Sequence, residues 1–290
     1  MPVKWKGILL AGGNGTRLHP LTRAVNKHFL AVYNKPMIYY SLSTLMLAGL
    51  REIVVISHAS DLPLFQQLLG DGSQWGLSLE YLRQEEPRGI AECFLIAEKA
   101  LAGCSAALAL GDNIFHSDRL QYRLQAALKK NEGATIFATE VADPRAFGVV
   151  EFDKAGRAVD IEEKPAAPRS NFAVTGLYFF DQSAPDIVRG MRPSVRGELE
   201  ITDVIRAYLA RDALRVVKFG RGFAWLDSGT PAALYDAGQF IKVVEERTGL
   251  LVASPDEIAF RRGYITRQQL ISLASGNTSY DSYLRKIADT

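Results

Sequence analysis

Gly7-Ile8-Leu9-Leu10-Ala11-Gly12-Gly13-Asn14-Gly15-Thr16-Arg17-Leu18 is the stretch that decides the fold of this 290-residue chain. A short apolar run bounded by turn residues reads as a buried strand. The glycines behind it let backbone N–H groups approach a ligand with no Cβ in the way. A turn of successive N–H groups forms an anion-binding concavity. Arg17 adds a permanent cation whose forked donors suit phosphate, so the segment reads as a polyphosphate loop. It is not a P-loop, because no Gly-Lys-Ser/Thr follows. It is not the dinucleotide fingerprint either. Leu18 stands where the third glycine belongs, and Tyr33, Asn34 and Lys35 stand where the ribose-binding acid belongs.

Outward from the loop, strand-like and helix-like runs alternate. Strands are expected at 6–10, 52–57, 106–110 and 134–142, and helices at 36–48, 62–69, 90–101 and 120–130. This β–α order predicts an α/β, Rossmann-like core with a mostly parallel sheet and helices on both faces. The pattern then changes. Residues 148–152 and 158–162 read as a hairpin, 173–180 and 215–219 as strands, and 183–191 and 198–211 as helices. From Pro231 the chain reads as helical. The expected organisation is a core over 1–230 in two parts, about 1–115 and about 116–230. A C-terminal helical segment over 231–290 is expected to pack on that core.

Bulk properties narrow the function. The charge is nearly balanced, 34 Lys and Arg against 32 Asp and Glu, which argues against a nucleic-acid partner. Cys93 and Cys104 match neither a disulfide framework nor a zinc pattern, and read as idle thiols in a reducing cytosol. The N-terminus lacks the apolar region of a signal peptide, and no apolar run approaches bilayer length. A cytoplasmic protein with no membrane partner is the expectation. No G-x-S-x-G elbow is present, and His19, His28, His58 and His116 have no metal-ligand spacing, so nothing marks a hydrolase.

Open parallel sheets bind ligands outside the carboxyl ends of their strands. Asp112, in Leu110-Gly111-Asp112-Asn113, is at such an end, and Asp227 ends a second apolar run before Ser228-Gly229. Taken singly, each aspartate is better explained by an Asx-turn or a helix cap. Beside a polyphosphate the two need a cation between them, and Mg²⁺ is the usual one. Glu163 and Lys164 follow the hairpin and would reach ligand hydroxyls and a phosphate if it arches over the site. Taken alone, such a pair is a solvated surface pair. Pro165 biases Lys164 toward extended backbone, which would send the two side chains to opposite sides.

The phrases LLAGGNGTRLHPLT (9–22), NKPMIYYSLSTLMLAG (34–49), LLGDGSQWGLSLEY (68–81), LGDNIF (110–115), FGVVEFD (147–153), EEKP (162–165), SNFAVTGLYFFD (170–181), RGELEITDV (196–204) and GFAWLDSGT (222–230) occur in that order. Together they resemble the sugar nucleotidyltransferase family, and within it the bacterial thymidylyltransferases that act on glucose 1-phosphate. The resemblance implies transfer of a thymidylyl group from dTTP to glucose 1-phosphate, giving dTDP-glucose and pyrophosphate for deoxysugar synthesis of the rhamnose type, with Mg²⁺ and a homotetramer. It implies that Gly12, Gly13, Gly15, Thr16 and Arg17 hold the nucleotide and its phosphates. Lys27 would contact phosphate at the reacting centre, Gln84 and Gly89 would read the base, and Asp112 and Asp227 would bind Mg²⁺. Gly148, Glu163 and Val174 would hold sugar hydroxyls and Lys164 the sugar phosphate. Arg221, Glu257, Ile258 and Arg261 match part of the region where members bind a feedback inhibitor.

The chain departs from the family pattern at several points. Lys27-His28-Phe29-Leu30-Ala31 stands where Lys-Gln-Leu-Leu-Pro is common, Phe147 where tyrosine is, and Ser41 where proline is. Arg88-Gly89-Ile90-Ala91-Glu92 replaces Asp-Gly-Leu-Ala-Gln beside the base. UTP, or another hexose 1-phosphate, therefore stays open as an alternative substrate. A catalytically silent nucleotide-sugar-binding regulator is a further alternative. The presence of Arg17, Lys164, Asp112 and Asp227 argues for the enzyme.

Overall fold

Residues 3–129 and 132–290 are described in a computed structural model. Its strands are β1 (Trp5–Leu10), β2 (Ala31–Val32), β3 (Lys35–Pro36), β4 (Glu52–His58), β5 (Ser78–Gln84), β6 (Ser105–Leu110), β7 (Asn113–His116), β8 (Ala134–Glu140), β9 (Gly148–Phe152), β10 (Ala158–Glu163), β11 (Phe172–Phe180), β12 (Leu214–Phe219) and β13 (Ala224–Asp227). Its helices are α1 (Met37–Ala48), α2 (Leu62–Leu69), α3 (Glu92–Ile96), α4 (Glu98–Leu101), α5 (Leu120–Leu128), α6 (Ala184–Arg189), α7 (Ile201–Leu209), α8 (Pro231–Thr248), α9 (Pro255–Arg261), α10 (Arg267–Leu273) and α11 (Ser279–Ala288).

Among the described residues, nine strands form the main sheet. Its spine runs β10-β9-β11-β6-β1-β4-β5, with β8 pairing β11 and β12 pairing β8. β6, β1, β4 and β5 are mutually parallel, and so are β8 and β12. β11 runs against both β6 and β8. The sheet is therefore mostly parallel, as expected, with β11 reversed within it and β10 reversed at one end.

A strand covered on both faces has no solvent side, which is why β1 is apolar without alternation. Leu9 enters one core with α1, α2 and α5. Ile8 and Leu10 enter the opposite core with α3, α6 and α7. Truncating Leu9, which is fully buried, to alanine should cost about 2–5 kcal/mol through lost contacts and an unfilled cavity. Side chains of α9, α10 and α11 share the core of α1. α8 packs through Ala237 and Ile241 against Val32, Met37 and Tyr40.

Several expectations are revised. The helix expected over 90–101 is two short pieces, because Ala97 has φ −85° and ψ 1° and interrupts the regular ladder. The helix expected over 198–211 begins at Ile201, which leaves residues 198–200 as a loop. α5 ends at Leu128, and Lys130, where that helix was expected to end, lies outside the described residues, as do Met1 and Pro2 of the N-terminal reading. Pro36, expected in the first helix, instead ends β3, which pairs with β2, and two further unexpected features position the site. β5 is a parallel strand ending at Gln84, and β7 pairs antiparallel with β13 so that Asn113 faces Asp227.

Candidate active site

The loop after β1 takes its shape from two residues with positive φ, Gly13 (93°) and Gly15 (57°), which side-chain-bearing residues rarely adopt. Leu18 is fully buried and pins the far end, while Arg17 stays exposed. Asn26 ties the next segment down. Its amide donates to the Ala11 carbonyl (3.1 Å) and to Asp61 Oδ2 (2.7 Å), and its Oδ1 accepts from the His28 backbone N–H (3.0 Å). The resulting turn over Lys27–Phe29 aims Lys27 at the end of β6, where its Nζ donates to Asp112 Oδ2.

Asp112 is 8% exposed and closely held. Asn113 Nδ2 donates to its Oδ1 (2.9 Å). Asn113 Oδ1 in turn accepts from the Gly176 N–H (3.0 Å) and from Trp225 Nε1 (2.6 Å). Ser41, on α1, donates within reach of two carbonyls that bracket this corner, Leu110 (2.8 Å) and Asn113 (2.9 Å). The β7–β13 pairing carries Asp227 to the same place. A Cβ on Gly229 would lie 2.7 Å from Arg17 Nη2 and 3.1 Å from Asp227 Oδ1. The bare Gly229 thus lets Arg17 settle beside Asp227.

The charges are unequally placed. Burial pushes the Asp112 carboxyl up, but Lys27, His28 and the Asn113 hydrogen bond outweigh it and hold it below the usual carboxylate range. Asp227 is raised, first by burial and then by the negative charge of Asp112, with Arg17 and Lys27 opposing. Two carboxylates that strain against each other beside free space form a donor set for a hard divalent cation. Among the described residues no group of three or more His, Cys, Asp or Glu side chains converges on a metal position. A pair fits Mg²⁺, which takes one or two carboxylates and completes its shell with water and phosphate oxygens.

These groups line a cavity of about 450 Å³. Gly12, Arg17, Lys27, Asp112 and Asp227 line it, and so do Gly148, Glu163, Lys164 and Val174. A Cβ on Gly148 would sit 3.5 Å from Glu163 Oε2 and 3.7 Å from Val174 Cβ, so both residues border Gly148. Thr202 donates to Glu163 Oε2 (2.5 Å), which fixes that carboxylate. The expected extended backbone at Lys164 is not found. Its φ is 47°, with its N–H bonded to the Phe147 carbonyl (3.0 Å). The left-handed turn brings both side chains to one cavity, Lys164 Nζ 3.4 Å from Glu163 Oε1, in place of sending them apart.

Gly13, Gly15, Thr16, Gln84 and Gly89 do not line that cavity. Gln84 reaches its edge from the end of β5 and lies against Gly12. Gly89 (φ 102°) presses on the Leu199 backbone and sets the path into Ile90, which does line it. Sequence reasoning missed Asn113, Tyr178, Arg196, Glu200 and Trp225 as lining residues. Arg196 is clamped to Glu200 by paired hydrogen bonds of 2.8 and 2.9 Å. The spacing Arg196-Gly197-Glu198-Leu199-Glu200 was the available signal. Glu257, Ile258 and Arg261 line a separate cavity of about 340 Å³, and Arg221 is not among its lining residues.

A family model described as Nucleotidyl transferase matches residues 6–243. The chain belongs to the nucleotidyl transferase family. The chain is 50% identical over 285 residues to glucose-1-phosphate thymidylyltransferase of Xanthomonas campestris pv. campestris (strain B100), covering 98% of this chain and 97% of that one. It is 49% identical over 286 residues to the protein of the same name from Mycolicibacterium smegmatis, covering 98% and 99%. A Bacillus anthracis chain provisionally described as a glucose-1-phosphate thymidylyltransferase, crystallised with sucrose, superposes with a TM-score of 0.75 at 36% identity, covering 81% of this chain and 94% of that one. UDP-glucose pyrophosphorylase, with a TM-score of 0.72 at 22% identity, shares the fold. This nucleotidyl transferase is thus an enzyme, of a family that generally uses a divalent metal. No described helix is long and apolar enough to cross a membrane.

Proposed function

We propose that the enzyme transfers a thymidylyl group from dTTP to glucose 1-phosphate, giving dTDP-glucose and pyrophosphate. The observation that carries this reading is the convergence of Arg17, Lys27, Asp112 and Asp227 on the cavity that Gly148, Glu163, Lys164 and Val174 also line. Similarity to thymidylyltransferases over nearly the whole chain supports it. A phosphate oxygen of the sugar phosphate attacks the α-phosphorus of dTTP, and pyrophosphate leaves in line. The attacking oxygen is already anionic, so the residues position the reactants and neutralise charge.

In this reading Gly12, Gly13, Gly15 and Thr16 cradle the triphosphate, and Arg17 receives the charge that grows on the leaving pyrophosphate. Lys27 serves the reacting phosphate, Gln84 and Gly89 meet the base, Glu163 and the Gly148 and Val174 backbone meet the sugar hydroxyls, and Lys164 holds the sugar phosphate. Asp112 and Asp227 would hold Mg²⁺, which would supply further positive charge at the phosphates. The nucleotide-binding part is assigned to about 1–115, the sugar-binding part to about 116–230, and 231–290 to a helical segment packed on them. A cytoplasmic homotetramer is proposed as the working state, serving deoxysugar synthesis of the rhamnose type. The cavity lined by Glu257, Ile258 and Arg261 is proposed to be regulatory, with Arg221 nearby in the assembled form.

Pyrophosphate release over a matrix of nucleoside triphosphates and sugar 1-phosphates tests the reading. The largest kcat/KM is expected for dTTP with glucose 1-phosphate, with UTP next and ATP and GTP inactive. Comparable turnover of ATP would overturn it.

A further inference from the structure

Gln84 is 3% exposed, at the end of β5. Its amide has two different faces, an oxygen that accepts and an NH₂ that donates. Which one points at the nucleotide decides which bases fit. The NH₂ donates to Glu92 Oε2 (2.8 Å), at the start of α3. The oxygen is thereby turned the other way, into the space where a side chain on Gly12 would begin. Glu92 is a carboxylate, so it accepts and cannot donate. The reversed amide would set oxygen against oxygen.

We propose that Glu92 is a positioning residue for base choice. By holding the NH₂ of Gln84, it commits the Gln84 oxygen to the base and selects bases that carry an N–H at the centre of their pairing edge. Thymine and uracil have that N3–H. Cytosine has a lone pair there and meets an acceptor with an acceptor. A pocket built around one hydrogen bond rejects the base that lacks the donor far more strongly than shape alone does. The inference rests on the proposed seating of the base against Gly12 and Gln84.

The test compares dUTP with dCTP, which differ only at that edge, using kcat/KM in pyrophosphate release with glucose 1-phosphate held fixed. The parent enzyme should prefer dUTP by about 100-fold or more. Glu92→Ala frees the amide, and the preference should drop about tenfold, chiefly through gain on dCTP. Glu92→Gln keeps a carbonyl acceptor and should restore the preference to within about threefold of the parent. Glu92→Lys offers a donor that draws the Gln84 oxygen to itself and should reduce the preference furthest. KM for glucose 1-phosphate and the melting temperature should stay unchanged across the series. Where turnover is slow, the calorimetric Kd ratio of dUDP to dCDP reads the same preference. If Gln84→Ala abolishes the preference while all Glu92 variants keep it, Glu92 does not set the amide, although the base seating stands. If Gln84→Ala leaves the preference intact, the base seating itself is wrong.

Discussion

Lys27 and Asp112 are joined by an ion pair in which Lys27 Nζ occupies Oδ2 while Asn113 occupies Oδ1. Both oxygens of the carboxylate are therefore engaged in the protein alone. Were Asp112 to hold the proposed Mg²⁺, Lys27 would have to yield Oδ2. The Lys27 ammonium would then be free to meet a phosphate.

The first prediction follows from that competition. Lys27→Met should lower kcat about 10²–10³-fold, the scale of losing a preorganised charged donor. The same change should reduce the Mg²⁺ concentration needed for half-maximal rate, since Asp112 is released. Excess EDTA should abolish turnover in both forms, and added Mg²⁺ should restore it. A Lys27→Met enzyme that needs more Mg²⁺ than the parent contradicts the competition.

Arg17 lies beside Asp227 over the bare Gly229. It belongs to the leaving-group side of the proposed reaction. Arg17→Ala should raise the barrier by about 2–4 kcal/mol, seen in kcat more than in KM for dTTP. Steady-state kinetics with dTTP varied separates the two parameters, and a change confined to KM would sink the assignment.

Lys164 reaches the cavity because its backbone is left-handed and its N–H is fixed to Phe147. Lys164→Met keeps the stem and removes the charge. KM for glucose 1-phosphate should rise about tenfold or more while the dTTP parameters change little. If only the dTTP parameters move, Lys164 serves the triphosphate.

His28 gives a pH prediction. Burial first, and then the charge of Lys27, lower its pKa from 6.5 to about 3. The unfolded chain takes up a proton below about 6.5 and the folded chain does not. Stability therefore falls with falling pH between those values, by about 1.4 kcal/mol per pH unit at most. His28→Gln removes this dependence. Denaturant midpoints at pH 6.5 and 5 should show the parent losing about 2 kcal/mol more than the variant. Equal losses would show that His28 is protonated in the folded state as readily as in the unfolded one.

The sequence made the parallel core legible because its strands are buried on both faces and are apolar without interruption, as in 6–10 and 106–110. The glycine loop and Asp112 were legible for the same reason, since each follows such a strand directly. Gln84 was placed only by resemblance. Its strand, Ser78–Gln84, is half exposed and breaks the apolar pattern. The partnership of Asp227 with Asp112 depends on pairing between β7 and β13, more than a hundred residues apart, and four-residue strands carry no periodic signal. The Lys164 turn ran against the local preference before proline. The surrounding contacts, above all the Phe147 carbonyl, overrode it.

β11 is one continuous strand of nine residues. Its last residues pair with β6 on one side and β8 on the other, its first with β8 and, through Ala173, with β9, and the register against β8 shifts between Val174 and Tyr178. Gly176, within that shift, is the residue that holds Asn113 and hence Asp112. An engineer who wished to exchange the proposed sugar-binding part as a cassette would therefore cut into the scaffold that holds Asp112, a proposed metal ligand. New acceptor specificity in this protein is better sought by point changes around Gly148, Glu163 and Val174 than by grafting a foreign segment. The strand that carries Val174 into the cavity also keeps the Asp112 carboxylate in place.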